Sequence, residues 1–109
     1  MIGQHVFAKV YDCAKDRLDD CDGLVKLLET AAVIAGATVI KSMSHKFDPQ
    51  GVTALVLLSE SHVSIHTYPE HGIAVLDMFT CGSCDPMSGA LHIIKSLDCN
   101  KYTIDCIDR

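Results

Sequence analysis

"VTALVLLSESHVSIHTYPEHGIAVLDMFT", residues 52–80, decides the fold. Residues 52–59 form a nearly unbroken apolar run of strand length, which reads as a central strand buried on both faces. Residues 62–68 alternate instead. His62, Ser64 and His66 project to one side, and Val63, Ile65 and Thr67 to the other. The stretch PEHG at 69–72 is a tight turn, and 73–80 is the returning strand. Between the first two strands sits SESH, residues 59–62, a polar interruption where a core would prefer valine.

Outward from this hairpin, the remaining elements follow from periodicity and punctuation. DPQG at 48–51 is a turn, and 37–47 begins β-branched and then alternates, as a strand does. Residues 24–36 carry apolar side chains at helical spacing, preceded by the capping residues DDCDG and stopped by Gly36. Residues 4–13 alternate as a strand. On the other side, 85–97 reads as a helix with a proline near its start, and 101–107 as a closing strand. The order β-α-β-β-β-β-α-β predicts an α+β fold, a two-layer sandwich of a mostly antiparallel sheet with two helices on one face. The other face is too apolar to stay wet, so it is expected to meet a second copy of the chain.

Composition narrows the class of function. A length of 109 residues fits one domain, 1–109, and 49 % apolar residues exclude disorder. A net charge of −5 argues against a nucleic-acid or anionic-membrane surface. The longest apolar run, 31–40, is broken by Gly36 and too short to span a bilayer. No basic leader with an apolar region precedes the first strand, so a cytoplasmic location is expected. The six cysteines then read as reduced thiols, most of them packing as small hydrophobes.

The hairpin also predicts which polar residues meet. Its turn centres near residue 70, so paired residues have numbers summing to about 140. Ser61 thus pairs near residue 79, which brings Cys81 beside it. His66 lies five residues from Ser61 on the same strand, roughly 16 Å away at about 3.3 Å per residue. If Ser61 and His66 act together, His66 must come from a second subunit across a two-fold interface.

These residues sit in a pattern that closely resembles the prokaryotic S-adenosylmethionine decarboxylase proenzymes. LSESHVSIHTYPEHGIAVLDMFTCG (58–82) resembles that family's core motif, and GATVIKSMSHKFDPQGVTALVLL (36–58) the block before it. The resemblance runs from about residue 3 to residue 98. It implies autocatalytic cleavage between Glu60 and Ser61, giving fragments 1–60 and 61–109, with Ser61 converted to a pyruvoyl group, the covalent cofactor. The same likeness implies that the Thr53 hydroxyl supports the oxyanion during processing and that His66 moves protons. The substrate amine then condenses with the pyruvoyl ketone as a Schiff base, and Cys81 protonates Cα after decarboxylation. Phe47 and Tyr68 are implied to flank the adenine and Glu70 to hold the ribose hydroxyls of S-adenosylmethionine. The product serves as aminopropyl donor for spermidine synthesis, and the cleaved protomers form a homodimer with shared active sites. Tyr68 stands where many members have tryptophan, and the segment after the F-T-C-G motif is shorter here than in many relatives.

Three functions stay in play from the residues. The first is S-adenosylmethionine decarboxylation. The second is pyruvoyl-dependent decarboxylation of arginine or ornithine, which some homologues with the same machinery perform. The third, from another class, is a non-catalytic or thiol-redox domain using the C-x-x-C of Cys81 and Cys84. That motif lies late in the chain and lacks the βαβ beginning of a redox fold. His62 and His66 are about 13 Å apart on one strand face, too far to share a metal ion, and no metal site is assigned.

Overall fold

A computed structural model describes residues 2–59 and 61–109. Strands β1 (Gly3–Tyr11), β2 (Val39–Lys46), β3 (Val52–Leu58), β4 (His62–Tyr68), β5 (Ile73–Cys81) and β6 (Lys101–Asp108) form one sheet. Their spatial order is β2-β3-β4-β5-β1-β6, and every neighbouring pair is antiparallel. Helices α1 (Lys15–Leu18), α2 (Cys21–Ile34) and α3 (Pro86–Ser96) complete the α+β sandwich. The two helices expected from the sequence are α2 and α3. The third, α1, has four residues, too few for an apolar period to register.

Local chemistry sets the helix ends. Asp20 caps α2 by accepting the N–H of Gly23 at 3.0 Å. At the far end Gly36 adopts φ +85, and the N–H groups of Gly36 and Ala37 donate back to the carbonyls of Val33 (3.0 Å) and Ala32 (2.9 Å). This paired closure needs a left-handed residue, which is why glycine ends the helix. Asp85 caps α3 in the same way, accepting from the Ser88 N–H at 3.3 Å, with Pro86 in the first turn.

The apolar stripes of α2 and α3 then pack on one face of the sheet. Leu24, Leu28, Ala31 and Ala32 of α2 are buried over β2 and β3; Ala90, Ile93 and Ile94 of α3 lie over β1 and β5. A side chain at Gly89 would come within 2.8 Å of the Ala31 carbonyl, so its bare backbone permits the two helices to approach. Val6, Val10, Val56, Val63, Ile65 and Met78 meet them from the sheet, all fully buried.

The other face has no helices. Strand β3, expected to be buried on both sides, instead alternates: Ala54 and Val56 face the helices, while Leu55 and Leu57 remain 40 % and 52 % exposed. A strand with one covered face sends every second residue outward. Phe7 and Met43 lie exposed on the same open face. No helix among the described residues is long and apolar enough to cross a membrane.

Candidate active site

Strand β4 links two clusters of polar residues at its opposite ends. At the first, residues 59–61 join β3 to β4. The Leu58 N–H donates to the Ser61 carbonyl at 2.9 Å, and the Ser61 N–H to the Leu58 carbonyl at 3.3 Å. Glu60, the expected cleavage partner, lies outside the described residues. The Ser61 hydroxyl donates to Cys81 Sγ at 3.9 Å, so the pairing expected from the hairpin holds. The observed register, His62 opposite Phe79, sums to 141 and explains it. Ser61 also borders a pocket of about 50 Å³ with Thr38, Ser59 and Cys84, and the Cys84 thiol donates to the Gly36 carbonyl at 3.5 Å.

At the second end, Thr53 and His66 pair across β3 and β4, with Oγ1 and Nδ1 3.0 Å apart. They line a groove of about 310 Å³ together with Phe47, Tyr68 and Glu70. Five residues singled out from the sequence therefore share one groove. Phe47 and Tyr68 are both about half exposed there, and Phe47 packs edge-on against His45, with centroids 4.6 Å apart. The loop that carries Phe47 is pinned: its N–H donates to the Gly51 carbonyl at 2.8 Å, and the Gly51 N–H donates to Asp19 at 2.8 Å. Ser61 is not part of this groove. It lies five positions before His66, roughly 16 Å away at strand rise.

Between the two ends, on the open face, is a cluster that the sequence reading missed. Asp77 of β5 accepts from His5 Nε2 at 2.8 Å, from His62 Nε2 at 3.3 Å and from the Ser64 hydroxyl. Burial pulls the Asp77 pKa up, but the hydrogen bonds from Ser64, His5 and His62 outweigh it and hold the carboxyl below its usual range. An ionised carboxylate only accepts, so both imidazoles present Nε2–H to it. Among the described residues, this trio alone places metal-ligating atoms within 4.8 Å of one another. Their contacts are of hydrogen-bond length, and the cluster is satisfied as it stands. Asp77 did leave a trace in the sequence, as the one charge in the apolar strand 73–80. His5 left none, because β1 reaches β5 from the far end of the chain.

Taken together, the two ends offer a hydroxyl beside a thiol in one place, and a hydroxyl–imidazole pair with two aromatic rings and a carboxylate in the other. The first suits a nucleophile with a nearby proton donor. The second suits proton transfer next to a stacked heterocycle with vicinal hydroxyls.

Comparisons with known proteins agree on a family. The family described as S-adenosylmethionine decarboxylase matches residues 4–109. A protein of Synechococcus sp. (strain WH7803) named S-adenosylmethionine decarboxylase proenzyme is 54 % identical over 82 residues, 75 % of this chain and 64 % of that relative. One of the same name from Geobacillus kaustophilus (strain HTA426) is 44 % identical over 96 residues, 88 % of this chain and 77 % of its own length. The crystal structure of the adenosylmethionine decarboxylase from Aquifex aeolicus superposes with a TM-score of 0.90 at 37 % identity, covering 99 % of this chain and 90 % of the other. The chain thus spans just under two thirds of the cyanobacterial relative it matches.

Proposed function

The chain belongs to the S-adenosylmethionine decarboxylase family, and from that premise we propose that it cuts itself before Ser61 and then, as a homodimer, decarboxylates S-adenosylmethionine. The observation that carries this reading is the division of residues between the two ends of β4. Ser61 and Cys81 meet at one end; Thr53, His66, Phe47, Tyr68 and Glu70 meet at the other. Two copies related by a two-fold axis, with their open faces together, would bring each copy's first end to its partner's second end. The exposed Phe7, Met43, Leu55 and Leu57 give that interface its apolar content.

Processing uses this chain's own groups. Ser61 Oγ attacks the Glu60 carbonyl, and the amide becomes an ester through a tetrahedral intermediate. The Thr53 hydroxyl donates to the oxyanion. The His66 imidazole takes the proton from Cα of Ser61, so that the ester leaves by β-elimination with a carboxylate on Glu60. Water then hydrolyses the remaining enamine, through its imine, to a ketone and ammonia. The Leu58–Ser61 backbone bonds support this site, because they keep the strand ends together while the connection is under attack.

The residues fit a pyruvoyl group at position 61, with the Cys81 thiol in contact with the serine that would become it. Such a group supplies an electron sink for the charge left at Cα when carbon dioxide departs. Cys81 donates a proton at the substrate Cα. Phe47 and Tyr68 stack on the adenine, and Glu70 accepts from the ribose hydroxyls. The product is an aminopropyl donor of the kind spermidine synthesis consumes.

Intact mass spectrometry tests the first step. The purified protein should appear as fragments 1–60 and 61–109, the second without a free amine, and Ser61→Ala should stay whole and folded. Release of labelled carbon dioxide from S-adenosylmethionine, and not from arginine or ornithine, tests the second. A folded wild-type chain that stays uncut refutes the proposal; release from arginine or ornithine alone refutes the substrate.

A further inference from the structure

Cys13 and Cys99 take no part in the site described above, yet their sulfurs lie 2.8 Å apart. That is about 0.75 Å longer than a disulfide bond of about 2.05 Å. The two residues are 86 positions apart in sequence. Each is delivered by a turn whose preceding residue is left-handed: Asp12 at φ 54 and Asp98 at φ 55, the only non-glycine residues with positive φ among those described. Aspartate tolerates this conformation better than most residues. Both turns are also anchored. The Cys13 N–H donates to the Gly72 carbonyl at 3.0 Å, the Asp98 N–H donates to the Lys95 carbonyl at 3.3 Å, and Arg17 donates to the Ser96 carbonyl. The fold therefore holds the thiols against each other.

We propose that Cys13 and Cys99 are a modification site that closes a disulfide, with a low-molecular-weight disulfide as oxidant. Resting on the self-cleavage reading, the bond has a specific consequence: Cys13 lies in fragment 1–60 and Cys99 in fragment 61–109, so it ties the two products covalently. Cys99 is the more exposed of the pair, so it reacts first. Its thiolate attacks one sulfur of the external disulfide and expels one thiolate. Cys13, once deprotonated, attacks the Cys99 sulfur and expels the second. The two leaving thiolates take up the two protons given off, so two protein thiols are oxidised and one external disulfide is reduced. Burial pushes the Cys13 thiol up, as do its contact with Cys99 and the Asp12 charge; burial also pushes the Cys99 thiol up, as does Asp98. Exchange is therefore slow at neutral pH and speeds up as pH rises. The product has no ionisable proton and suits the buried seam better than a thiolate. It also changes how the protein comes apart. Two untethered fragments part from each other as the protein unfolds, whereas tethered ones stay joined, so the tethered midpoint depends less on concentration.

The test is oxidation of the purified protein with glutathione disulfide at about pH 8.5, quenched with an alkylating agent and mapped by peptide mass spectrometry without reductant. The expected result is one linked pair of peptides carrying Cys13 and Cys99. The fragments should co-migrate on a non-reducing denaturing gel, separate with reductant, and separate always in Cys99→Ser. Folded protein in which Cys13 and Cys99 are each alkylated overturns the proposal, as does Cys99 left bearing glutathione or a Cys81–Cys84 link in its place. Ser61→Ala separates the two readings. Its whole chain should still lose two hydrogens on oxidation, so the link can be found even if self-cleavage fails, and cleavage can be found without the link.

Discussion

The two faces of the sheet were built to different rules. On the helix side, Val6, Val10, Val56, Val63, Ile65 and Met78 are fully buried and aliphatic or thioether, and none carries chemistry. On the open side the same strands present His5, Ser64, His66, Asp77 and Thr53 among exposed leucines. One strand supplies both sets, because successive residues point to opposite faces. Stability and chemistry are thus separable in β4 by residue parity: odd positions hold the core and even positions hold reactive groups.

Substitutions on the two faces should accordingly fail in different ways. The largest effect expected is from His66→Ala, which removes the proposed proton carrier and should slow processing about 10²–10⁴-fold, while the melting temperature barely moves. Co-expression with Ser61→Ala should restore cutting of the His66→Ala chains, since each mixed dimer then has one complete site. No cut fragment in such mixtures would count against sharing between subunits.

Next comes the helix side. Leu28→Ala empties a fully buried position on α2 and should cost about 2–5 kcal/mol in urea unfolding, with residual folded protein still cutting at the normal rate. A stable Leu28→Ala protein that cuts slowly would break the separation of faces.

The smallest effect is expected at Asp77→Asn. The folded-state pKa of Asp77 is depressed, so its contribution is fully present above the unfolded value of about 3.9 and is lost as pH falls through the folded pKa. The variant should be less stable by about 1–2 kcal/mol at neutral pH, with the gap closing below about pH 4. Acid unfolding curves of the two proteins that run parallel at all pH values would show that the cluster contributes nothing through its charge.

What could be read from the sequence follows the range of the pairing. The 62–80 hairpin is local, so a sum of residue numbers brings Ser61 to Cys81, as observed. Across β3 and β4, Thr53 pairs with His66, two residues that the sequence links only through the family resemblance. Pairing across long separations left no such signal. Nothing near residue 5 says that β1 will lie beside β5, so the His5–Asp77 contact stayed hidden, as did the meeting of Cys13 with Cys99. The apolar run at 52–59 reads as doubly buried, whereas β3 has helices on one face alone and leaves Leu55 and Leu57 exposed, because apolar composition does not say how many faces are covered.

The strand order carries one more implication. Residues 1–60 contribute β1, β2 and β3, residues 61–109 contribute β4, β5 and β6, and β1 lies between β5 and β6. A scission after residue 60 therefore leaves two interleaved pieces, not two halves. To part them, the β3–β4, β5–β1 and β1–β6 ladders must all open, three of the five in the sheet. Neither piece made alone would have a complete template to fold on, so a chain cut as proposed must assemble this strand order before it is cut.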